Sequence, residues 1–264
     1  MKFEAHKTIA KMREKSTLIH HITNWVTIND CAQIVRRWGC LPVMAHAKEE
    51  VAEMVSLAGA LVLNIGTLTM DLVDSMIVAG KSANKKRIPV ILDAVGVGAT
   101  RLRTEQAKRL LDEVKIDILK GNAGEIATLA GVEAEVKGVE SISVSADAGE
   151  TAKLLAKKLG NIVAITGAVD FVSDGGQVLA LKYGHPLMGE VVGTGCVCTS
   201  TIGCFASIGE DYLHLTAQAL GCFGVAGERT CREASAGDFM WRFFNVIDEI
   251  SKNPNELEII AEER

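Results

Sequence analysis

The strongest constraint in this chain is a rhythm. Apolar runs of strand length alternate with stretches whose apolar residues recur at helical spacing. The runs fall at residues 18–23, 41–44, 60–65, 89–93, 116–119, 162–166, 171–173 and 178–182. Between them, "HAKEEVAEMVSLAG" sets Val51, Met54, Val55 and Ala58 on one helical face, with Gly59 placed to close the helix. "TEQAKRLLDEV" starts at a capping Thr104 and carries Leu110, Leu111 and Val114 inward, and "SADAGETAKLLAKKLG" ends on Gly160 before the next run. Such alternation specifies βα units and an α/β fold with a largely parallel sheet.

The bulk numbers narrow the class. A chain of 264 residues with 48% hydrophobic content can bury a full core, which argues against disorder. The net charge of −5 gives no broad attraction for nucleic acid. No apolar run has the length of a membrane span, and the first fifteen residues lack a secretory apolar region. Seven cysteines, an odd number without a staple pattern, point to free thiols in a reducing cytoplasm. No linker or repeat interrupts the pattern, so one domain over 1–264 is expected. Residues 137–148 read as an exposed excursion, and the tail from Ser251 as polar and peripheral.

In open parallel sheets, ligands bind beyond the carboxyl ends of the strands. Those ends carry Asn24, Met44, Asn64, Asp93, Lys120, Asn122, Thr166 and Gly167. Asp93 in "LDAVGVGAT" is either part of a glycine turn or a ligand for hydrated Mg²⁺. In "LKGNAGEIATLAG", Asn122 and Glu125 have the spacing of a helix cap and its reciprocal partner. With Lys120 they equally suit a Mg-bound polyphosphate.

The stretch "GTGCVCTSTIGC" holds Cys196, Cys198 and Cys204. On a helix the first two diverge by about 200°, which rules against a shared metal or a disulfide between them. Cys198 and Cys204 are expected as small core residues. Gly193, Thr194 and Gly195 at a helix start either form a plain turn or present unpaired N–H groups to an anion, with Cys196 at the rim.

Taken together, "HHITNWVTIND", "PVMAHAKEEVAEMVSLAGALVLNIGTL", "VILDAVGVGAT", "LKGNAGEIATLAG", "VAITGAVDFVSDG" and "GHPLMGEVVGTGC" resemble the hydroxyethylthiazole kinases, thiamin-salvage enzymes of the ribokinase-like superfamily. The resemblance covers most of residues 18–206. It implies a three-layer α/β/α fold, a homotrimer with sites near subunit contacts, and phosphorylation of 4-methyl-5-(2-hydroxyethyl)thiazole by ATP with Mg²⁺. It implies that Met44 and Gly193 touch the thiazole with Asn24 nearby. Lys120 and Thr166 would meet ATP, with Asn122 and Gly167 on the same side, and Asp93 and Glu125 would serve Mg²⁺. Cys196 would face the reacting hydroxyl beside Thr194 and Gly195. Two departures stand out: Ala94 where the family commonly has Pro, and Lys120 where many members have Arg, which keeps the charge but loses the bidentate fork.

The resemblance suggests a base role for Cys196, and electrostatics temper it. A helix N-terminus favours a thiolate by about 0.3–1 kcal/mol. A phosphate charge ~5 Å away opposes it by ~3 kcal/mol at an effective dielectric of 20. Cys196 is therefore expected as a mostly neutral thiol that orients the hydroxyl and takes its proton late. The competing readings are a related kinase acting on another alcohol, such as a hydroxymethylpyrimidine, and a non-catalytic metal or redox protein built on the cysteines.

Overall fold

The computed structural model describes residues 1–131, 135–137, 140–143, 147–255 and 257–264. The strands are β1 (Lys2–Phe3), β2 (Leu18–Ile22), β3 (Leu41–Val43), β4 (Ala60–Asn64), β5 (Val90–Asp93), β6 (Ile118–Asn122), β7 (Glu135–Lys137), β8 (Glu140–Ser143), β9 (Ile162–Thr166), β10 (Asp170–Ser173), β11 (Val178–Leu181), β12 (Ile259–Ile260) and β13 (Glu262–Glu263). The helices are α1 (Ala5–Lys15), α2 (Ile28–Arg37), α3 (Val51–Leu57), α4 (Met70–Lys86), α5 (Arg101–Glu113), α6 (Ala123–Ala130), α7 (Ala148–Leu159), α8 (Thr194–Ala206), α9 (Tyr212–Cys231) and α10 (Phe239–Lys252).

Nine strands form the central sheet in the order β13-β11-β10-β9-β6-β5-β4-β2-β3. From β3 to β9 every pairing is parallel, and β10, β11 and β13 extend the edge in antiparallel fashion. The period of two splits each strand between two cores. On β4, Ala60 and Val62 join a core with α1, α2, α8, α9 and α10, while Leu61 and Leu63 join one with α3 to α7. Burial on both faces explains why these strands read as continuous apolar runs. The result is the expected three-layer α/β/α arrangement.

Several boundaries differ from the sequence expectation. The helix read from His46 starts only at Val51, and Ala58 caps its end in an extended conformation. Gly59 instead allows close packing: a Cβ there would lie 2.1 Å from Thr17 Cγ2. The helix expected from Thr104 begins at Arg101, because the Thr100 hydroxyl accepts from the Arg103 N–H. The Thr104 hydroxyl accepts from Gly98 N–H and donates to the Thr100 carbonyl, bracing the glycine turn instead of capping. The tail is not merely peripheral. Ile259 and Ala261 are buried, and β13 pairs with β11. Much of the expected excursion at 137–148 lies outside the described residues.

Candidate active site

The parallel order brings the carboxyl ends of β2, β4, β5, β6 and β9 together, and the first turn of α8 lies against them. Asp93, which ends β5, is fully buried. Its Oδ2 accepts from the Thr199 hydroxyl at 2.7 Å and from Asn64 Nδ2 at 2.9 Å, and its Oδ1 lies 3.4 Å from Lys120 Nζ. Lys120 also donates to the Gly195 carbonyl at 3.1 Å, which pins α8 to β6. Burial works against the charge on Lys120, but the neighbouring Asp93 and Glu125 carboxylates carry its pKa above the ordinary lysine value.

Asn122 and Glu125 complete the reciprocal cap that their spacing allows. Asn122 Oδ1 accepts from Glu125 N–H at 2.9 Å, and Glu125 Oε2 accepts from Asn122 N–H at 2.7 Å. Glu125 Oε1 also accepts from Gly96 N–H, so the same side chain holds the turn after β5. Burial, reinforced by the Asp93 charge, pushes the Glu125 carboxyl up to about 7. Two buried carboxylates repelling each other favour a cation between them. Because their oxygens already take donors, the set fits Mg²⁺ that keeps its waters and its phosphate ligands rather than a chelated ion.

Helix α8 starts at Gly193, whose φ of +98° suits glycine. The first intrahelical bond runs from Val197 N–H to the Gly193 carbonyl, so the N–H groups of Thr194, Gly195 and Cys196 precede it. The Thr194 hydroxyl donates to the Met188 and Val191 carbonyls and thereby tethers the preceding loop. On one side of this helix start lies a cavity of about 540 Å³, bounded by Thr166, Gly167, Asp170, Thr194, Gly195 and Cys198. Its size suits a nucleotide. Cys198 is buried as expected, yet it also forms part of this wall. Burial pushes the Asp170 carboxyl up to about 7, and Asp170 Oδ1 accepts from Gly167 N–H to hold the turn after β9.

Cys196 points to the other side. Its Sγ accepts from Asn24 Nδ2 at 3.3 Å, and burial, then the Asp93 charge, raise its pKa while Lys120 opposes. The Asn24 side-chain oxygen Oδ1 takes three donors from the following turn: Val26 N–H, Thr27 N–H and the Thr27 hydroxyl. Met44, after β3, packs on the core at the sheet edge. His46 accepts from Thr23 N–H at Nε2, so its Nδ1 carries the proton donated to the Met44 carbonyl. This ring ties the ends of β2 and β3 together. The expected site residues thus divide. Thr166, Gly167, Thr194 and Gly195 border the cavity, Lys120 and Asp93 pair beneath the α8 turn, Asn122 and Glu125 cap α6, and Asn24 and Cys196 meet away from the cavity.

Three participants escape sequence reasoning. Thr199 follows Gly195 by one helical turn. Asp170 opens an antiparallel strand. Arg103 donates to the carbonyls of Ile65, Val95 and Gly66, clamping the turns after β4 and β5. Thr199 lies within "GTGCVCTSTIGC" and Asp170 within "VAITGAVDFVSDG", but neither stretch marks which residue its side chain meets; Arg103 lies in neither, and Asn64, another strand-end residue, was visible as a position without a role.

Solved structures share this architecture. A ribokinase-like superfamily protein from Enterococcus faecalis superposes with a TM-score of 0.65 at 11% identity, covering 90% of this chain and 88% of the other. The fold is that of the ribokinase-like superfamily, with carboxylates at the strand ends beneath the start of a helix. A family model described as the hydroxyethylthiazole kinase family matches residues 9–254. The hydroxyethylthiazole kinase of Methanosarcina mazei is 54% identical over 239 residues, 90% of this chain and 91% of the relative. The structure of the hydroxyethylthiazole kinase protein of Pyrococcus horikoshii has a TM-score of 0.88 at 36% identity, covering 98% of each chain. The chain belongs to the hydroxyethylthiazole kinase family.

Proposed function

We propose that this protein transfers the γ-phosphoryl group of ATP to the hydroxyl of 4-methyl-5-(2-hydroxyethyl)thiazole, as a single ribokinase-like domain spanning 1–264. The observation that carries the reading is the placement of the α8 N-terminus. Its free N–H groups stand between a nucleotide-sized cavity and the Asn24–Cys196 pair, directly above the Lys120–Asp93 pair.

Phosphoryl transfer depends on positioning and charge neutralisation. The cavity holds ATP, with Thr166 and Gly167 on its wall and Asn122 close by. The N–H groups of Thr194, Gly195 and Cys196, together with Lys120, take up charge on the moving phosphoryl group. Asp93 and Glu125 would hold hydrated Mg²⁺, which would shield the polyphosphate charge. Met44, Gly193 and Asn24 seat the thiazole so that its hydroxyl faces the γ-phosphorus. As the new O–P bond forms, the bond to the β-phosphate oxygen breaks and ADP leaves. The proton departs late, to the minority thiolate of Cys196, whose sulfur Asn24 already supplies with a donor.

Exposed apolar residues stand beside Asn24 and Gly193 on the alcohol side: Trp25, Val26 and Val192. Their clustering supports a homotrimer with sites at subunit contacts. The free cysteines suit a cytoplasmic location, and no helix among the described residues is long and apolar enough to cross a membrane.

The test is ATP consumption by purified protein with Mg²⁺ and a panel of heteroaromatic alcohols. Stimulation by the hydroxyethylthiazole above hydroxymethylpyrimidine is expected; a flat response to the thiazole refutes the reading. Sedimentation of the same sample checks the trimer.

A further inference from the structure

Asn64 ends β4, is 1% exposed, and lies between the two halves of the site. Its Oδ1 accepts from Asn24 Nδ2 at 3.0 Å and from Gly66 N–H at 2.9 Å, and its Nδ2 donates to Asp93 Oδ2 at 2.9 Å. The orientation is forced. Turning the amide over would set its oxygen against a carboxylate and its NH₂ against two N–H donors. Asn24 is equally committed, because its oxygen serves the turn 24–27 and its NH₂ divides between Asn64 and the Cys196 sulfur. Direct hydrogen bonds therefore join the four residues in a chain: Asn24 Nδ2 donates both to the Cys196 sulfur and to Asn64, and Asn64 in turn donates to Asp93. That chain also reaches Gly193, since a Cβ there would lie 2.8 Å from Thr27 Cγ2.

We propose that Asn64 is a positioning residue that couples the two half-sites, so that loading nucleotide and metal on the Asp93 side orders the Asn24–Cys196 side for the alcohol. The inference rests on the kinase reading above. A ligand that draws on Asp93 changes the pull on Asn64 Nδ2. Asn64 is held on its oxygen side by Asn24 and Gly66 and also faces the Cys196 thiol, so the change passes to the Asn24 amide, to that thiol and to the turn beneath Gly193. Buried hydrogen bonds in series reinforce one another. Coupling of this kind is reciprocal: the alcohol must tighten the nucleotide by the same factor.

Asn64→Asp isolates the key link. An aspartate still accepts from Gly66 and Asn24 but, when ionised, has nothing to donate to Asp93. The experiment titrates the hydroxyethylthiazole into the full-length protein by calorimetry, with and without Mg²⁺ and a non-hydrolysable ATP analogue. In the unmodified protein the analogue raises alcohol affinity at least about fivefold. In N64D at pH 8 that ratio falls to about one, while thermal melting shows a folded protein. In turnover assays, the KM for each N64D substrate becomes independent of the other's concentration. A folded N64D with the unmodified ratio overturns the inference, and so does an unmodified protein that binds both ligands without coupling. If the unmodified protein binds neither ligand, the kinase reading falls and the inference falls with it. Should N64D not fold, Asn24→Ala cuts the same chain from its other end and is read by the same ratio; an unchanged ratio there overturns the inference.

Discussion

Lys120 Nζ lies 3.4 Å from Asp93 Oδ1, and both side chains are all but sealed from solvent, at 5% and 0% exposure. The pair joins adjacent parallel strands at the floor of the site. Removing one partner strands the other charge, at a cost of about 3–5 kcal/mol. Lys120→Met should therefore lose that much stability in chemical denaturation and also raise the KM for ATP. Lys120→Arg should keep the fold, because the charge remains. A Lys120→Met protein as stable as the original would show that Thr199 and Asn64 alone satisfy Asp93.

Cys196 is a raised-pKa thiol held by an amide donor, and its chemistry should show in the pH profile. A positioned general base contributes about 10²–10⁴ in rate. A mostly neutral thiol should give less, so Cys196→Ala should lose about 10- to 100-fold in kcat. The rate of the unmodified enzyme should climb with pH beyond neutrality as the thiolate fraction grows. Cys196→Asp should outperform Cys196→Ala and flatten that climb. If alanine abolishes turnover and aspartate does no better, the late-proton role is wrong.

The two glycines of the α8 turn should fail in different ways. Gly193 has a left-handed φ and no room beside Thr27, so Gly193→Ala should cost about 1–3 kcal/mol and disturb the anion-binding N–H groups. Gly195 faces only the Lys120 ammonium, 3.2 Å from an added Cβ, so that group must give by a few tenths of an ångström. Gly195→Ala should leave the melting temperature nearly unchanged and raise the KM for ATP. Thermal melts and steady-state kinetics on both variants separate the two effects.

His21 donates to or accepts from the Ser200 hydroxyl at 3.0 Å behind Cys196, and burial drives its pKa from 6.5 down to about 3. The folded state thus refuses a proton that the unfolded chain accepts below pH 6.5. Its contribution is intact above that pH and is lost progressively as pH falls towards 3. By pH 4.5 the difference amounts to about 2–3 kcal/mol. Glu125 and Asp170, both raised to about 7, act in the opposite sense over part of this window. The comparison with His21→Gln isolates the histidine: the variant should lose less stability between pH 7 and 4.5. Parallel curves for the two proteins would refute the assignment.

How much of this was legible in the chain depends on the range of the interaction. The Asn122–Glu125 cap spans three residues and forms as its spacing allows. The α8 turn is written in "GTGC", because only glycine tolerates the φ at Gly193. The cap at Thr104 was misplaced because Thr100 offers the same hydroxyl one turn earlier, and the winner depends on where the Gly96–Gly98 turn leaves the chain. Thr199 and Arg103 were missed because their partners lie 106 and 38 residues away, whereas Asp170 holds Gly167 only three residues back and was missed because that turn follows no recognised capping pattern.

The sequence by itself determined the alternation of strands and helices, the strand-end residues on offer, and the family resemblance, since periodicity and motifs are properties of contiguous residues. Only the tertiary structure decided which strand ends meet. The order β6-β5-β4-β2 sets Lys120, Asp93, Asn64 and Asn24 side by side at the strand ends. Burial then forces each polar atom in that row to find its partner in the next, because a buried donor or acceptor left unmade costs more than any local preference supplies.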